Sequence, residues 1–409
     1  MPEPKVRFKR DDGCSYPEWQ EKPLSVLAEF SKGQGYTKSD LKESGSPIIL
    51  YGRLYTNYQT VIKEVDTFAD MKGKSVLSKK GDVIVPASGE TADDISVASA
   101  VNSDGIILGG DLNIIHPCAD VAPNFLAYSL TFGSPHQEMA RRAQGKSIVH
   151  LHNDDLKSAL IAFPCFEEQQ KIADFLSSVD EVISASEEEI TNLEKQKKAV
   201  MKKIFAQKMR FRRGDGTEFP EWEEKTLGEV CEPLQYGMNA AAGKYDGRNK
   251  YIRITDIDDS THAYLEDNVV SPTGELSDKY LVCKGDILLA RTGASTGKTY
   301  LYNEKDGRMY FAGFLIRAHV KDGYDDYFVY SQTLTYAYEK WVKLTSQRSG
   351  QPGINAEEYS GYILQIPCLE EQRFIANFLS SFDEAIAAAK KELELWKELK
   401  KGLLQQMFV

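Results

Sequence analysis

The sequence predicts an α+β chain with two mixed α/β domains related by pseudo-twofold symmetry. Two long helices forming an antiparallel coiled coil separate them. Three observations predict this architecture. Two separated segments recur at one offset of 203 residues, nearly half of the 409-residue length. Strand-type runs dominate the stretches between the repeats, and each stretch gives way to a long amphipathic helix.

Each half opens on a basic, Gly-containing arm. Val6 to Leu24 (VRFKRDDGCSYPEWQEKPL) matches Met209 to Leu227 (MRFRRGDGTEFPEWEEKTL) at 11 of 19 positions, and both contain a Pro-Glu-Trp turn that marks the start of a domain. Inserts of about 140 residues follow, 25–163 and 228–366, whose sequences scarcely agree. Runs rich in Ile, Val, Leu and Tyr between Gly or Asp predict strands over 47–55, 81–86 and 105–115, and over 249–257, 285–291 and 308–320. Helices are expected near 124–130 and 327–343. The second repeat then sets PCFEEQQKIADFLSSVDEVI (from Pro164) against PCLEEQRFIANFLSSFDEAI (from Pro367), with 14 identities in 20. A Pro just ahead and Glu-Glu in the first turn suit a helix amino terminus. The predicted boundaries are 1–163, 164–208, 209–366 and 367–409.

The stripe on each helix can be counted. Spacings of four then three residues pick out Ile172, Leu176, Val179, Ile183, Ser186, Ile190, Leu193, Lys197, Val200 and Ile204. The mates are Ile375, Leu379, Phe382, Ile386, Ala389, Leu393, Trp396, Lys400, Leu403 and Met407. A period of 3.5 residues held over more than four heptads signs a coiled coil. At 1.5 Å per residue each stripe runs roughly 50 Å, too long for the face of its own domain. Mutual pairing hides both stripes and makes the helices a ruler holding the inserts apart.

Composition sets the remaining bounds. No apolar run at the amino terminus suits a secretory signal and no segment suits a membrane span, which leaves the cytoplasm as the expected compartment. Six cysteines without a CxxC pair read as buried free thiols. The net charge of −11 opposes a nucleic-acid partner only on average, because nine basic and no acidic residues lie between Lys195 and Arg213.

Catalytic and cofactor motifs fail one by one. Arg291 to Tyr300 (RTGASTGKTY) resembles a P-loop, but only three residues separate Gly293 from Gly297 and Thr292 stands where the first Gly belongs. His150 and His152 form an HxH pair that no Cys or carboxylate cluster completes, so no metal site is expected. No GxSxG, HExxH or GxGxxG occurs. Loops that mix Lys, Arg, Gln, Asn and Tyr between strands do fit a chemistry, since these side chains reach phosphates and read base edges. The candidates in the first insert are Lys32, Gln34, Tyr36, Lys38, Arg53, Asn57, Arg141, Arg142 and Lys146. Those in the second are Gln235, Tyr236, Asn239, Lys244, Arg248, Asn249, Arg253, Arg291, Lys298, Gln347, Arg348 and Gln351.

The organisation resembles the specificity (S) subunits of Type I DNA restriction-modification systems, the HsdS family. The match is carried by Pro164, Glu167, Glu168, Gln169, Ile172, Ala173, Phe175 and Leu176, repeated as Pro367, Glu370, Glu371, Gln372, Ile375, Ala376, Phe378 and Leu379. The resemblance implies two target recognition domains, each reading one half of a split double-stranded DNA sequence, with the helices fixing the gap. It implies two methyltransferase (M) and two restriction (R) subunits as partners. It also implies a non-catalytic chain without cofactors, S-adenosylmethionine serving the M subunits and ATP and Mg the R subunits. The alternative from another class is a coiled-coil scaffold whose inserts bind proteins and no DNA.

Overall fold

The computed structural model describes residues 4–145 and 148–408. They form two compact units, one of residues up to Glu188 together with those from Lys390 onward, the other Glu189–Ala389. The helices Phe166–Phe205 and Leu369–Met407 are each continuous, and each contributes one part to either unit.

In the first unit a five-stranded sheet runs in the order Ala28–Lys32, Leu112–Pro117, Asp82–Pro86, Ser99–Val101 and Val61–Ile62. The second unit repeats its first four members as Gln235–Tyr236, Leu315–His319, Asp286–Ala290 and Thr299–Leu301. In both units a short antiparallel pair closes the insert, Gln20–Pro23 with Leu160–Phe163 and Glu223–Thr226 with Ile363–Ile366. The equivalence in pairing order explains how inserts of unlike sequence share one scaffold: each keeps apolar residues at the sheet positions that face the core.

Several predicted segments differ from the structure. The run 105–115 breaks at Gly109-Gly110-Asp111; Ile107–Leu108 pairs in parallel with Ile48 and Ile49, while Leu112–Pro117 joins the large sheet. The run 308–320 breaks in the same way at Ala312-Gly313-Phe314, so that Met309–Phe311 and Leu315–His319 lie in separate sheets. Both corners need a glycine opposite. A Cβ on Gly33 would sit 1.9 Å from the Gly109 carbonyl oxygen, and one on Gly237 2.2 Å from that of Ala312. The predicted strand 47–55 ends at Ile49, and Arg53–Thr56 forms a helical turn that sends Leu54 into the core. The expected helix 327–343 is two, Asp326–Gln332 and Tyr336–Thr345. Thr333 bonds back to the Tyr330 carbonyl, and Thr335 caps the next helix by accepting from the Tyr338 N–H. The helix near 124–130 is observed as Pro123–Phe132.

The core of each unit joins sheet, insert helix and long helices. In the first, Val83, Val85 and Ile115 meet Phe125, Leu126 and Leu130, which pack with Ile172, Leu176, Leu404, Met407 and Phe408. In the second, Ile287, Leu289 and Ile316 meet Phe328 and Val329 with Met201, Ile204, Ile375 and Leu379. Each such side chain, fully buried, contributes about 1.5 to 3 kcal/mol. Cys231 is the buried cysteine; Cys165 and Cys368 are half-buried, and Cys14, Cys118 and Cys283 are exposed. The expectation of buried thiols therefore fails for most of them, since they stand in turns and strand ends. All six are free.

All twenty positions counted on the two stripes are buried or half-buried. Within the first unit Asp180 pairs with Lys400 at 2.5 Å and Glu187 with Lys397 at 2.9 Å, so numbering rises along one helix as it falls along the other. Within the second, Lys197 pairs with Asp383 at 2.5 Å. Lys197 and Lys400 are the charged breaks in the stripes, and their partners are repeat mates as well. A tyrosine hydroxyl donates to each aspartate, Tyr128 to Asp180 and Tyr327 to Asp383. Burial beside that carboxylate raises both phenol pKa values, with desolvation the larger cause. An ion pair in an apolar seam adds little net stability but penalises any register that separates the charges. Among the described residues no helix is long and apolar enough to cross a membrane.

Candidate nucleic-acid interface

The repeated Glu-Glu-Gln motif serves the frame. Glu168 and Glu371 are fully buried, and each takes two hydrogen bonds from an arginine of the basic arm. Arg7 donates to Glu168 through Nε at 3.1 Å and Nη2 at 2.8 Å, and Arg210 to Glu371 at 3.3 and 3.0 Å. The bond to Glu371 raises the Arg210 pKa. One residue on, Gln169 donates to the Pro164 carbonyl and accepts from the Ala122 N–H, while Gln372 does the same with Pro367 and Asp325. Each glutamine thereby ties the start of a long helix to the start of an insert helix. The motif positions each insert and does not itself face a ligand.

A second duplicated device lies under the sheets. Asp82 accepts from the Lys79 N–H at 2.8 Å and meets His116 at 2.7 Å; Asp286 accepts from the Cys283 N–H at 2.8 Å and meets His319 at 2.8 Å. Sequence reasoning missed this pair, although the Lys-Gly-Asp that opens each strand was visible. With Cys283, the second copy brings three potential ligand atoms within 4.8 Å of one another. Asp286 is already engaged by a backbone N–H, a histidine and Arg317 at 3.6 Å, and Lys79 stands at the matching place in the first unit. The shared Asp–His pair fits a clamp on the turn.

Beyond the last rungs of each large sheet, three backbone hydrogen bonds recur and build one edge. Ala87 N–H bonds the Asp111 carbonyl at 2.8 Å, Leu151 N–H the Ala87 carbonyl at 3.0 Å, and Gly33 N–H the Leu112 carbonyl at 2.9 Å. Their counterparts are Arg291 to Phe314 at 3.0 Å, Ile354 to Arg291 at 2.9 Å and Gly237 to Leu315 at 3.0 Å. In the second unit this edge gathers Tyr236, Arg291 and Gln351 from the predicted set. The Arg291 guanidinium lies 5.0 Å over the Tyr236 ring, and its buried Nε has no hydrogen-bond partner among the described residues. Gln351 stands against Gly293, where an added Cβ would come 3.0 Å from its amide nitrogen. Gln235 adjoins them, bonded to Arg317 and to the Lys279 carbonyl.

The other candidates divide into free and engaged. Lys32, Gln34, Lys38, Asn57, Arg141 and Arg142 are exposed in the first unit. Tyr36 is buried, with its hydroxyl on the Asp70 carbonyl, and Arg53 pairs with Asp66. Lys146 lies outside the described residues. In the second unit Asn239, Lys244, Arg248 and Gln347 are exposed. Asn249 is held between Asp246 and Arg308, Arg253 pairs with Asp256 at 2.6 Å, and Arg348 pairs with Glu358. Lys298, from the segment resembling a P-loop, bonds the Ile254 and Ile257 carbonyls and pairs with Asp259. That amine holds its own loop. Phe314, exposed at the corner beside Arg291, was missed by a reading that sought polar side chains.

Two like scaffolds carrying unlike edges define a modular recognition protein, in which a constant frame presents variable surfaces. Residues 16–195 and 220–395 each match the family described as Type I restriction modification DNA specificity domain. The chain belongs to that family: it is a specificity subunit of a Type I restriction-modification system, with two target recognition domains. It is 24% identical over 425 residues to the Type I restriction enzyme MjaVIII specificity subunit of Methanocaldococcus jannaschii, spanning 97% of this chain and 94% of that one. In fold it is similar to the Type-I restriction-modification system S subunit from M. genitalium, with a TM-score of 0.65, 16% identity and coverage of 100% and 99%. A chain from a structure of type I R-M complex assembly and conformational transition gives 0.55, 17%, 96% and 98%.

Proposed function

We propose that each insert reads one half of a bipartite double-stranded DNA sequence through the edge at its sheet corner, and that the paired helices set the distance between the halves. Membership of the DNA specificity family supports a DNA target. The observation that carries the two-part reading is the duplicated edge: the same backbone hydrogen bonds bear Lys32, Ala87 and Asp111 in one unit and Tyr236, Arg291 and Phe314 in the other. Equal scaffolds with different side chains present different hydrogen-bond patterns to base pairs. Exposed Lys38, Arg141, Arg142, Lys244 and Arg248 supply phosphate contacts and with them a steep salt dependence. The chain acts without chemistry of its own in the cytoplasm. Two M subunits carry S-adenosylmethionine and extrude the target adenine, and two R subunits carry ATP and Mg.

Exchanging residues 25–163 for the insert of another specificity subunit tests this reading. One half of the methylated word changes and the other stays. A word changed in both halves overturns domain-wise readout. The protein-scaffold alternative predicts no sequence-dependent or salt-sensitive DNA affinity for the assembled complex.

A further inference from the structure

The corner of the second unit carries an aromatic side chain that its position leaves without a structural task. Phe314 is 58% exposed, although the strand before the corner ends on the fully buried Phe311 and the strand after it begins on the fully buried Leu315. Its backbone is held fast. The Phe314 carbonyl accepts from Arg291 N–H at 3.0 Å, Leu315 N–H bonds Ala312 at 2.8 Å, Ala312 N–H bonds Ile252 at 3.0 Å and Met238 N–H bonds Phe311 at 2.8 Å. An exposed phenyl ring on a mobile loop costs little and means little. One on a corner tied to three neighbouring segments is presented, and its two rotatable bonds leave little entropy to lose on contact.

Its neighbours decide what it is presented to. Ala290 pairs with Leu315 in the last rung of the antiparallel ladder, so Arg291 and Phe314 stand opposite each other one step beyond it. Arg291 lies over Tyr236 with an Nε that has no partner among the described residues, and the exposed Gln351 reaches the same turn. Arginine and glutamine are the side chains that make bidentate bonds to guanine and adenine edges, and an apolar side chain among them matches the one apolar feature of the major groove, the thymine methyl group. The first unit has Asp111 at this place, with a φ of +58°, which offers no apolar contact.

Resting on the reading of this chain as a bipartite DNA reader, we infer that Phe314 is a specificity-determining residue. It makes an apolar contact with a thymine methyl in the half-site read by the second unit, flanked by base contacts from Arg291 and Gln351.

The test uses the full chain in complex with its M subunits and duplexes carrying its methylated word, with deoxyuridine replacing each thymine of that half in turn. Deoxyuridine keeps the base edges and lacks the methyl. One replacement should weaken wild-type binding about fourfold, the worth of one buried methyl. Phe314→Ala should be insensitive to that replacement, and its methylated word should relax at that position alone. Phe314→Leu, which keeps an apolar group, should retain part of the sensitivity, and Leu344→Ala, equally exposed on the helix Tyr336–Thr345, should behave as wild type. A half-site without thymine, indifference of the wild type to every replacement, or an equal loss by Phe314→Ala on all duplexes would overturn the inference while leaving the bipartite reading intact. Absence of any sequence preference in the wild-type complex would remove the reading on which it rests.

Discussion

The edges of the two units differ most where their backbones agree best. Ala87 and Arg291 occupy the same node, each donating to a corner carbonyl and accepting from the segment that leads to the closing strand. One node carries a methyl group and the other a guanidinium. Beside them Lys32 matches Tyr236 and Asp111 matches Phe314, so the first edge is charged and thin while the second is aromatic and broad. Backbone hydrogen bonds and buried frame contacts shared by both units hold this scaffold, and the edge side chains add little to it beyond the Ala356 N–H bond to the Tyr236 hydroxyl at 3.1 Å. Those side chains are free to vary with whatever they touch.

The frame itself is not perfectly symmetric, and the asymmetry gives the largest expected effects. Glu371 accepts from Arg210 and also from the Trp222 indole N–H at 3.1 Å, whereas the Trp19 indole nitrogen is buried without a partner among the described residues. Glu168→Ala should cost about 3 kcal/mol, because the half-buried Arg7 guanidinium keeps its bonds to the Tyr16 and Pro17 carbonyls but loses its buried carboxylate. Glu371→Ala should cost about 1 kcal/mol more, because a second donor loses its acceptor. Urea unfolding of the two variants compares them, and equal losses would show that the indole bond contributes nothing.

Next come the glycines facing the corners. Gly237→Ala places a methyl 2.2 Å from the Ala312 carbonyl oxygen and Gly33→Ala one 1.9 Å from that of Gly109. Each should destabilise by about 1 to 3 kcal/mol through forced backbone shifts. Each should also disturb only the half of the methylated word read by its own unit, which methylation mapping of the two variants checks.

The polar seam should respond less. Asp180→Ala leaves Lys400 over the Phe132 ring at 5.5 Å with no carboxylate, while Asp383→Ala leaves Lys197 a bond to the Tyr327 hydroxyl at 3.2 Å. A loss of about 2 kcal/mol is expected for the first and about 1 kcal/mol for the second. Thermal melting that reverses this order would mean that the hydroxyl does not substitute for the lost charge.

The smallest effect concerns acid. Hydrogen bonds from Asn249 and Arg248 hold the Asp246 carboxyl down at about 2. Because the folded value lies below the unfolded value of about 3.9, this contribution is full above roughly pH 4 and disappears as pH falls through about 2. A carboxyl titration of Asp246 by NMR should find its midpoint near the lower value. A midpoint near 4 would show that the turn does not hold its bonds in solution.

Much of the frame was legible because it is written twice. The 3.5-residue period of Ile172 to Ile204 and its mate exposed both stripes, and repetition made Lys197 and Lys400 conspicuous as their only charged members. Their partners Asp180 and Asp383 were equally repeated but stand one place outside the stripe, so a count of apolar positions passed over them. The corners were illegible for a different reason. Local β-propensity runs unbroken through 105–115 and 308–320, and the break arises from sheet-to-sheet crossing against Gly33 and Gly237, a tertiary contact that no window detects. Among the edge residues, Tyr236, Arg291 and Gln351 were reached by residue type. Lys298 and Arg253 were chosen on the same ground and prove to be held by their own loops, because composition cannot tell a free cation from an engaged one.

The most direct test of two like scaffolds reading two unlike half-sites is a map of adenine methylation in a host that carries this chain with its partner subunits. The account predicts an interrupted word whose two halves differ in sequence and are separated by a constant number of unread base pairs. A single continuous word, or a gap of variable length, would contradict it.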